Sequence, residues 1–376
     1  MFNFALKRID WLLVFFILPI LSAGLVTMRS FAPLEGVGNF FDKQIIWVLI
    51  SFVVFFVFSS IDFRFLKRTG VLVSIFIFFC AILFALFILG KVSHGAQSWF
   101  NFGGFSFQPV DMMKLVLVII LAKYFSRRHV EIRNLKHIFI SGFYAFIPFV
   151  LVLLQPDFGS AMIIFFIWLG MVFVSGISKT HLFLVFATAA LIFTSLWFFA
   201  FAPYQKARIS NFLNPLADIH GSGYNVFQST IAVGSGQIIG KGLGFGTQSR
   251  LQFLPEPQAD FIFAAFSEEW GFVGSVLIVI LYGLVIWRIL QTAALGATNF
   301  EMLFGMGIAI YFMSHIVINI GMNLGIFPVT GIPLPFMSYG GSHLVTEFAG
   351  LGILMSMRRY ARGVHRDDIN NEFLGA

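Results

Sequence analysis

Charge and cysteine are both scarce in this chain. Only 11% of its 376 residues are Asp, Glu, Lys or Arg, while 59% are hydrophobic and 52 are phenylalanine. That leaves too little polar surface to cover a water-soluble fold of this size, so the composition excludes a soluble enzyme or binding domain and indicates an integral membrane protein. The single cysteine, Cys80, falls inside an apolar run, which excludes an intramolecular disulfide and leaves packing as its role. Alternating apolar and polar residues, the mark of a membrane barrel, are missing too; the apolar runs are continuous, as helices of about 20 spanning residues require. A phosphate loop is absent: Gly236 and Gly240 enclose three residues where that motif needs four, and Lys241 is followed by Gly242. The glycines at 242, 244 and 246 follow no strand of a dinucleotide-binding unit. The net charge of +7 sits mostly in short loops, where it reports topology and contact with anionic lipid; nucleic acid is not an expected partner.

What is present is a series of long apolar runs. Spans are expected at about 11–29, 44–61, 71–90, 109–126, 138–154, 158–176, 181–201, 260–287, 302–325 and 339–357, giving an all-α polytopic membrane protein of about ten transmembrane helices. No linker or internal repeat divides residues 1–376, so a single transmembrane domain is expected. With the N-terminus inside, the larger share of the 24 Lys and Arg residues falls on the inner side, among them Arg64, Lys67, Arg68, Arg127, Arg128, Arg288 and Arg358. Arg29, Lys43, Lys91, Lys206, Arg208, Lys241 and Arg250 remain outside, which fits an N-in, C-in chain. The first apolar run lacks a small-residue cleavage site and is expected to stay as an uncleaved helix. The long connection, 202–259, joins spans seven and eight on the outer side; its apolar part, 226–239, is expected to be ordered as a helix at the membrane surface.

Polar residues among the spans mark candidate sites. Asp260, Glu268 and Glu269 lie where the long loop meets the eighth span, and a charge there requires water or a partner. Asp111 and Lys114 share one face of the fourth span as an expected intrahelical ion pair, with helix-start chemistry after Pro109 as the plainer explanation for the aspartate. Asp157, in QPDFGSA, suits either a turn or cap role or a functional one. His343 and Glu347 are four apart, with His315 on the preceding span, but no further ligand at a diagnostic spacing supports a metal site. The glycines of 236–246 serve either backbone geometry or close approach to a ligand.

Several motifs in fixed order resemble the SEDS family of bacterial cell-wall polymerases, and its RodA branch in particular; FtsW is the related paralogue. They are IDFR (61–64), GAQSWFNFGGFSFQPVDMMKL (95–115), QPDFGSA (155–161), the stretch 224–274 with GTQSRLQFLPE (246–256), and NIGMNLGIFPVTGIPLPFMSYGGS (319–342). The resemblance implies a peptidoglycan glycosyltransferase that polymerises lipid II, with undecaprenyl pyrophosphate as leaving group, on the outer face of the cytoplasmic membrane during elongation and shape maintenance. It implies Asp260 as the essential aspartate, suited to act as general base on an acceptor hydroxyl. Arg208, Lys241 or a divalent cation such as Mg would stabilise the departing pyrophosphate. Asp157, Asp111, Lys114, Ser338 and Ser342 fall in matching motifs and are expected at the substrate site. A class B penicillin-binding protein and other elongation-complex proteins are the implied partners.

The chain departs from the family pattern at Ser98, where Arg is usual, at Val110 and Asp111 in place of Ser-Glu, and at Gln258 and Ala259 in place of His-Thr. The last change alters hydrogen bonding around Asp260. Two rival classes share the composition: a flippase for a lipid-linked precursor, which needs sites reachable from both faces, and a non-enzymatic scaffold for wall synthesis.

Overall fold

The structure is a computed structural model that describes residues 9–31, 40–90, 99–102, 105–126, 135–199, 206, 210 and 223–371. Every expected span coincides with a helix; most ends shift by a few residues, while the helices expected at 260–287 and 339–357 run on to 294 and 371. The first seven are α1 (Trp11–Phe31), α2 (Phe40–Ser60), α3 (Thr69–Leu89), α4 (Pro109–Ser126), α5 (Leu135–Leu154), α6 (Phe158–Val174) and α7 (Lys179–Phe199). After two short helices, α8 (Tyr224–Ser235) and α9 (Thr247–Arg250), come α10 (Ile262–Ala294), α11 (Asn299–Asn323) and α12 (Gly341–Asn371). Among the described residues, α1, α2, α3, α5, α10 and α11 are each long and apolar enough to cross a membrane unaided.

Sequence decides which helices stand in the centre. In α4 the run from Val116 through Ala122 is buried on every side, as befits a helix that is apolar all round. Helices α11 and α6 pack on it, and α12 lies chiefly against α2. Outer faces instead present large apolar side chains such as Phe139, Phe143 and Phe183, the surface expected to meet lipid.

Polar contacts at the two ends of the bundle follow the alternation of the spans. At one end Asp10, before α1, lies 2.8 Å from Arg288 of α10 and 2.7 Å from Arg358 of α12. Lys67 pairs with Glu301 at 2.9 Å there, and Ser356 Oγ donates to the Ile61 carbonyl. The other end gathers the starts of α4, α6, α10 and α12 with the loop between α11 and α12. Gln44 of α2 donates to the Ser338 carbonyl of that loop at 3.0 Å.

Two features depart from expectation. A small antiparallel hairpin, β1 (Phe100–Phe102) with β2 (Phe105–Phe107), precedes α4 and pairs Phe100 with Phe107. Its cause is legible in FNFGGFSF, two period-2 segments separated by Gly-Gly, a hairpin pattern too short to register against the helical runs. The expected surface helix in 226–239 forms as α8 but packs on α10 and α11, burying Val226, Ser229 and Ala232. Ser229 Oγ donates to the Asn323 carbonyl at 2.8 Å, which ties it to the bundle.

The segment after α8 explains the glycine-rich stretch. Helix α10 breaks at Gly271, whose φ of 68° and ψ of −165° suit glycine alone. The carbonyls freed on one side of the break, Glu268 and Glu269, accept from the main-chain N–H groups of Lys241 and Gly242 at 3.0 Å each. Beyond it, Phe272 N and Val273 N donate to the Gln237 and Ile238 carbonyls. A side chain at Gly240 would collide with the Glu269 carbonyl, so the close approach that requires glycine is made to α10 itself. The buried Glu268 carboxylate locks the clasp: Oε1 accepts from Lys241 Nζ at 2.6 Å, Thr247 N at 2.8 Å and Gln248 N at 3.1 Å.

Replacing Gly271 by alanine is expected to cost about 3 kcal/mol or more, because backbone strain and collision with the 238–240 main chain act together. Gly283→Ala, in the same helix with open space around its Cα, is expected to be neutral or slightly stabilising. Thermal unfolding of the two purified variants in one detergent checks the contrast.

Candidate functional site

Asp260 is partly exposed and lies two residues before the first residue of α10. Three side chains hold the strand of chain that carries it. Ser338 Oγ donates to the Ala259 carbonyl at 2.6 Å, and Asn319 and Asn323 Nδ2 donate to the Asp260 carbonyl at 2.9 and 3.1 Å. Tyr339 N donates to the Gln258 carbonyl at 2.8 Å. The backbone at 258–260 is therefore pinned through its carbonyls, which all residue types share. The side chains at 258 and 259 are therefore free to vary without displacing the chain; the Gln258 amide turns aside to Glu256 at 2.7 Å.

The Asp260 carboxylate faces the loop between α11 and α12. A Cβ at Gly331, where φ is +69°, would stand 3.3 Å from Asp260 Oδ2, so glycine lets the loop run close beside the carboxylate. That loop is itself fixed. Asn319 Nδ2 donates to the Ile332 carbonyl at 2.7 Å, His315 Nδ1 lies 3.2 Å from the Pro333 carbonyl, Tyr282 donates to the Pro335 carbonyl and Leu334 N donates to Ser338 Oγ at 2.8 Å. The Tyr339 ring packs edge-on against Phe40 of α2, with centroids 4.9 Å apart.

Beneath the loop lies a buried polar cluster. Lys114 Nζ and Asp111 Oδ1 are 3.1 Å apart, the ion pair expected from their spacing, and both side chains are 2% exposed. Helix α12 adds Ser342 Oγ and His343 Nδ1, each 3.4 Å from the Asp111 carboxylate. His343 Nε2 lies 2.9 Å from Glu347 Oε1, within ion-pair range but off the direction of a hydrogen bond. The other Glu347 oxygen accepts from Phe336 N at 3.0 Å, which ties the cluster to the loop above. Ions so buried are stable only in pairs, since each costs several kcal/mol to take out of water.

The remaining candidates take distinct places. Asp157 caps α6, accepting from Ser160 N at 2.9 Å, and also accepts from Gln108 Nε2 at 3.2 Å. It borders the same loop, because a side chain at Gly159 would strike the Thr330 carbonyl. Lys241 pairs with Glu268 and lies 2.9 Å from Thr247 Oγ1, so its charge serves the clasp on α10. Arg208 lies outside the described residues. Asn319 and Asn323 were not singled out among the spans, although two asparagines four apart on an apolar helix share a face and were the available signal.

A family model described as cell cycle protein, covering FtsW, RodA and SpoVE, matches residues 6–363. The chain is 36% identical to stage V sporulation protein E of Bacillus subtilis over 366 residues, spanning 94% of this chain and 98% of that protein. It is 40% identical to the peptidoglycan glycosyltransferase MrdB of Escherichia coli over 281 residues, 75% of this chain and 76% of that one. A solved chain described under structural coordination of polymerization and crosslinking by a peptidoglycan synthase complex superposes with a TM-score of 0.80 at 30% identity, covering 94% of this chain and 98% of the other. By sequence along nearly its whole length and by fold, the chain belongs to the FtsW, RodA and SpoVE family of polytopic membrane proteins.

Proposed function

We propose that this chain is a peptidoglycan glycosyltransferase of the RodA branch that polymerises lipid II during cell elongation. The observation that carries the proposal is the placement of Asp260: its main chain is pinned by Asn319, Asn323 and Ser338, and its partly exposed carboxylate lies beside Gly331 of the loop between α11 and α12. Relatives carrying the same fold are named for glycan polymerisation.

The chemistry asks little more of the protein. Asp260 takes the proton of an acceptor sugar hydroxyl as that oxygen attacks the anomeric carbon of the donor. The new glycosidic C–O bond forms while the bond to the lipid-linked pyrophosphate breaks, and the pyrophosphate leaves with the electron pair. Arg208, or Lys241 released from Glu268, would offset the charge that grows on the leaving group, as would a divalent cation if one binds. Asp157 and Ser338 border the reacting end; Asp111, Lys114 and Ser342 support the loop from beneath through His343 and Glu347.

In this proposal the site faces outward across the cytoplasmic membrane, with both termini inside, as the distribution of Lys and Arg favours. A class B penicillin-binding protein crosslinks the new strand, and a relative's assembly into a synthase complex that couples polymerization with crosslinking supports the partnership. The apolar run of α4 from Val116 to Ala122 separates the polar cluster from the opposite end of the bundle, which speaks against a flippase path there.

Purified protein reconstituted with its cognate partner is expected to polymerise lipid II, and Asp260→Asn at matched expression and fold is expected to lose about 10²-fold or more of the rate. Equal polymer from both would remove Asp260 as the base; none from either would favour transport or scaffolding. A second expectation concerns the cluster. Asp111→Leu alone leaves Lys114 buried without its partner and is expected to destabilise by about 3–5 kcal/mol, whereas Asp111→Leu with Lys114→Met restores the unfolding temperature. Polymerisation recovered in the double variant would mark the pair as support, and a folded but inactive double variant would mark a direct part in binding.

A further inference from the structure

We infer that Asn323 and Asn319 are positioning residues for Asp260, acting as an amide wedge that holds open the first turn of α10. The inference rests on Asp260 being the general base. In a continuous helix the Asp260 carbonyl would accept from Ala264 N, four residues on. Here those two groups are not bonded to each other. Asn323 stands between them: its Oδ1 accepts from Ala264 N at 3.0 Å, and its Nδ2 donates to the Asp260 carbonyl at 3.1 Å. The next bond of the ladder, from Ala265 N to the Phe261 carbonyl at 3.1 Å, is normal. The helix thus begins at Ile262, one residue later than its own hydrogen-bonding groups would allow.

Asn319 completes the wedge. Its Nδ2 donates to the Asp260 carbonyl at 2.9 Å and to the Ile332 carbonyl at 2.7 Å, so one amide joins the base to the loop its carboxylate faces. Asn323 Nδ2 also donates to the Asn319 carbonyl at 2.8 Å, and both side chains are fully buried. With every polar atom of the pair committed, neither amide can turn without stranding a buried group. The consequence for Asp260 is directional. Without the wedge its carbonyl can close on Ala264 N, Phe261 joins α10 with Asp260 as its cap, and the carboxylate leaves its place beside Gly331.

Positioning of this kind affects the chemical step more than substrate binding, because displacement of a base by about 1 Å can cost on the order of 10²-fold in rate. The test is steady-state polymerisation of lipid II by the full chain with its partner, read as kcat and KM separately, together with thermal unfolding. Asn323→Ala and Asn319→Ala are expected to lower kcat by about tenfold or more with KM for lipid II within about threefold. Ser356→Ala removes a buried side-chain hydrogen bond at the far end of the bundle and serves as the control, expected to keep kcat at a comparable loss of unfolding temperature. Unchanged kcat in the asparagine variants, or a loss no greater than that of the control at equal stability, overturns the inference. Should Asn323→Ala not assemble, Asn319→Ala decides, since it keeps the bridge to Ala264 while removing the tie between the Asp260 carbonyl and the loop its carboxylate faces. Asp260→Asn in the same assay separates the two levels. If it polymerises normally, the assignment of the base fails; if it is inactive while both asparagine variants match wild type, the wedge alone fails.

Discussion

A main-chain carbonyl or N–H inside a membrane bundle has no water to fall back on, and in this protein that constraint is met where α10 is interrupted. The segment 262–270 is short and helical, and at neither end does the helix continue regularly. At its start the Asn323 amide takes both groups of the one missing hydrogen bond; at Gly271 the main chain of 237–242 takes the groups freed by the break. Asp260 sits at the first of these irregular points and Glu268 beside the second. The polar residues that look out of place in an apolar chain are in large part those that make an interrupted helix affordable there.

The two interruptions differ in what supports them. At Gly271 the partners are main-chain groups, so the demand on sequence is for small residues that let two backbones meet, and it appears as a run of glycines that resembles a nucleotide loop in composition only. At Asp260 the partners are side-chain amides on another helix, so the demand appears as two asparagines 59 and 63 residues away in sequence. The same physical requirement therefore leaves a dense local signal in one place and a sparse distant one in the other.

This difference governs what could be read in advance. Helices α1 to α7 and α10 to α12 were legible because a spanning helix writes about 20 apolar residues in a row, and the ion pair of Asp111 with Lys114 was legible because both ends lie on one helix. Asp260 was found by resemblance and as a charge that needed a reason. The pairing of Lys241 with Glu268 was not legible, since it depends on the break at Gly271 folding the loop back on α10. Nor was the docking of α8: its apolar face suits a membrane surface as well as a helix groove, and its packing on α10 and α11, with Ser229 meeting the Asn323 carbonyl, distinguishes the two.

Pinning through carbonyls also bears on which substitutions the site tolerates. Gln258 and Ala259 directly precede Asp260, and their carbonyls are held by Tyr339 N and Ser338 Oγ, contacts indifferent to the side chains at 258 and 259. Change at these two positions can therefore adjust the polarity beside Asp260 while its backbone stays in place. Change at Asn319, Asn323 or Ser338 has no such latitude, because there the side chain is itself the support. A site built this way separates residues that set the environment of the base from residues that set its position, and the two groups lie on different segments of the chain.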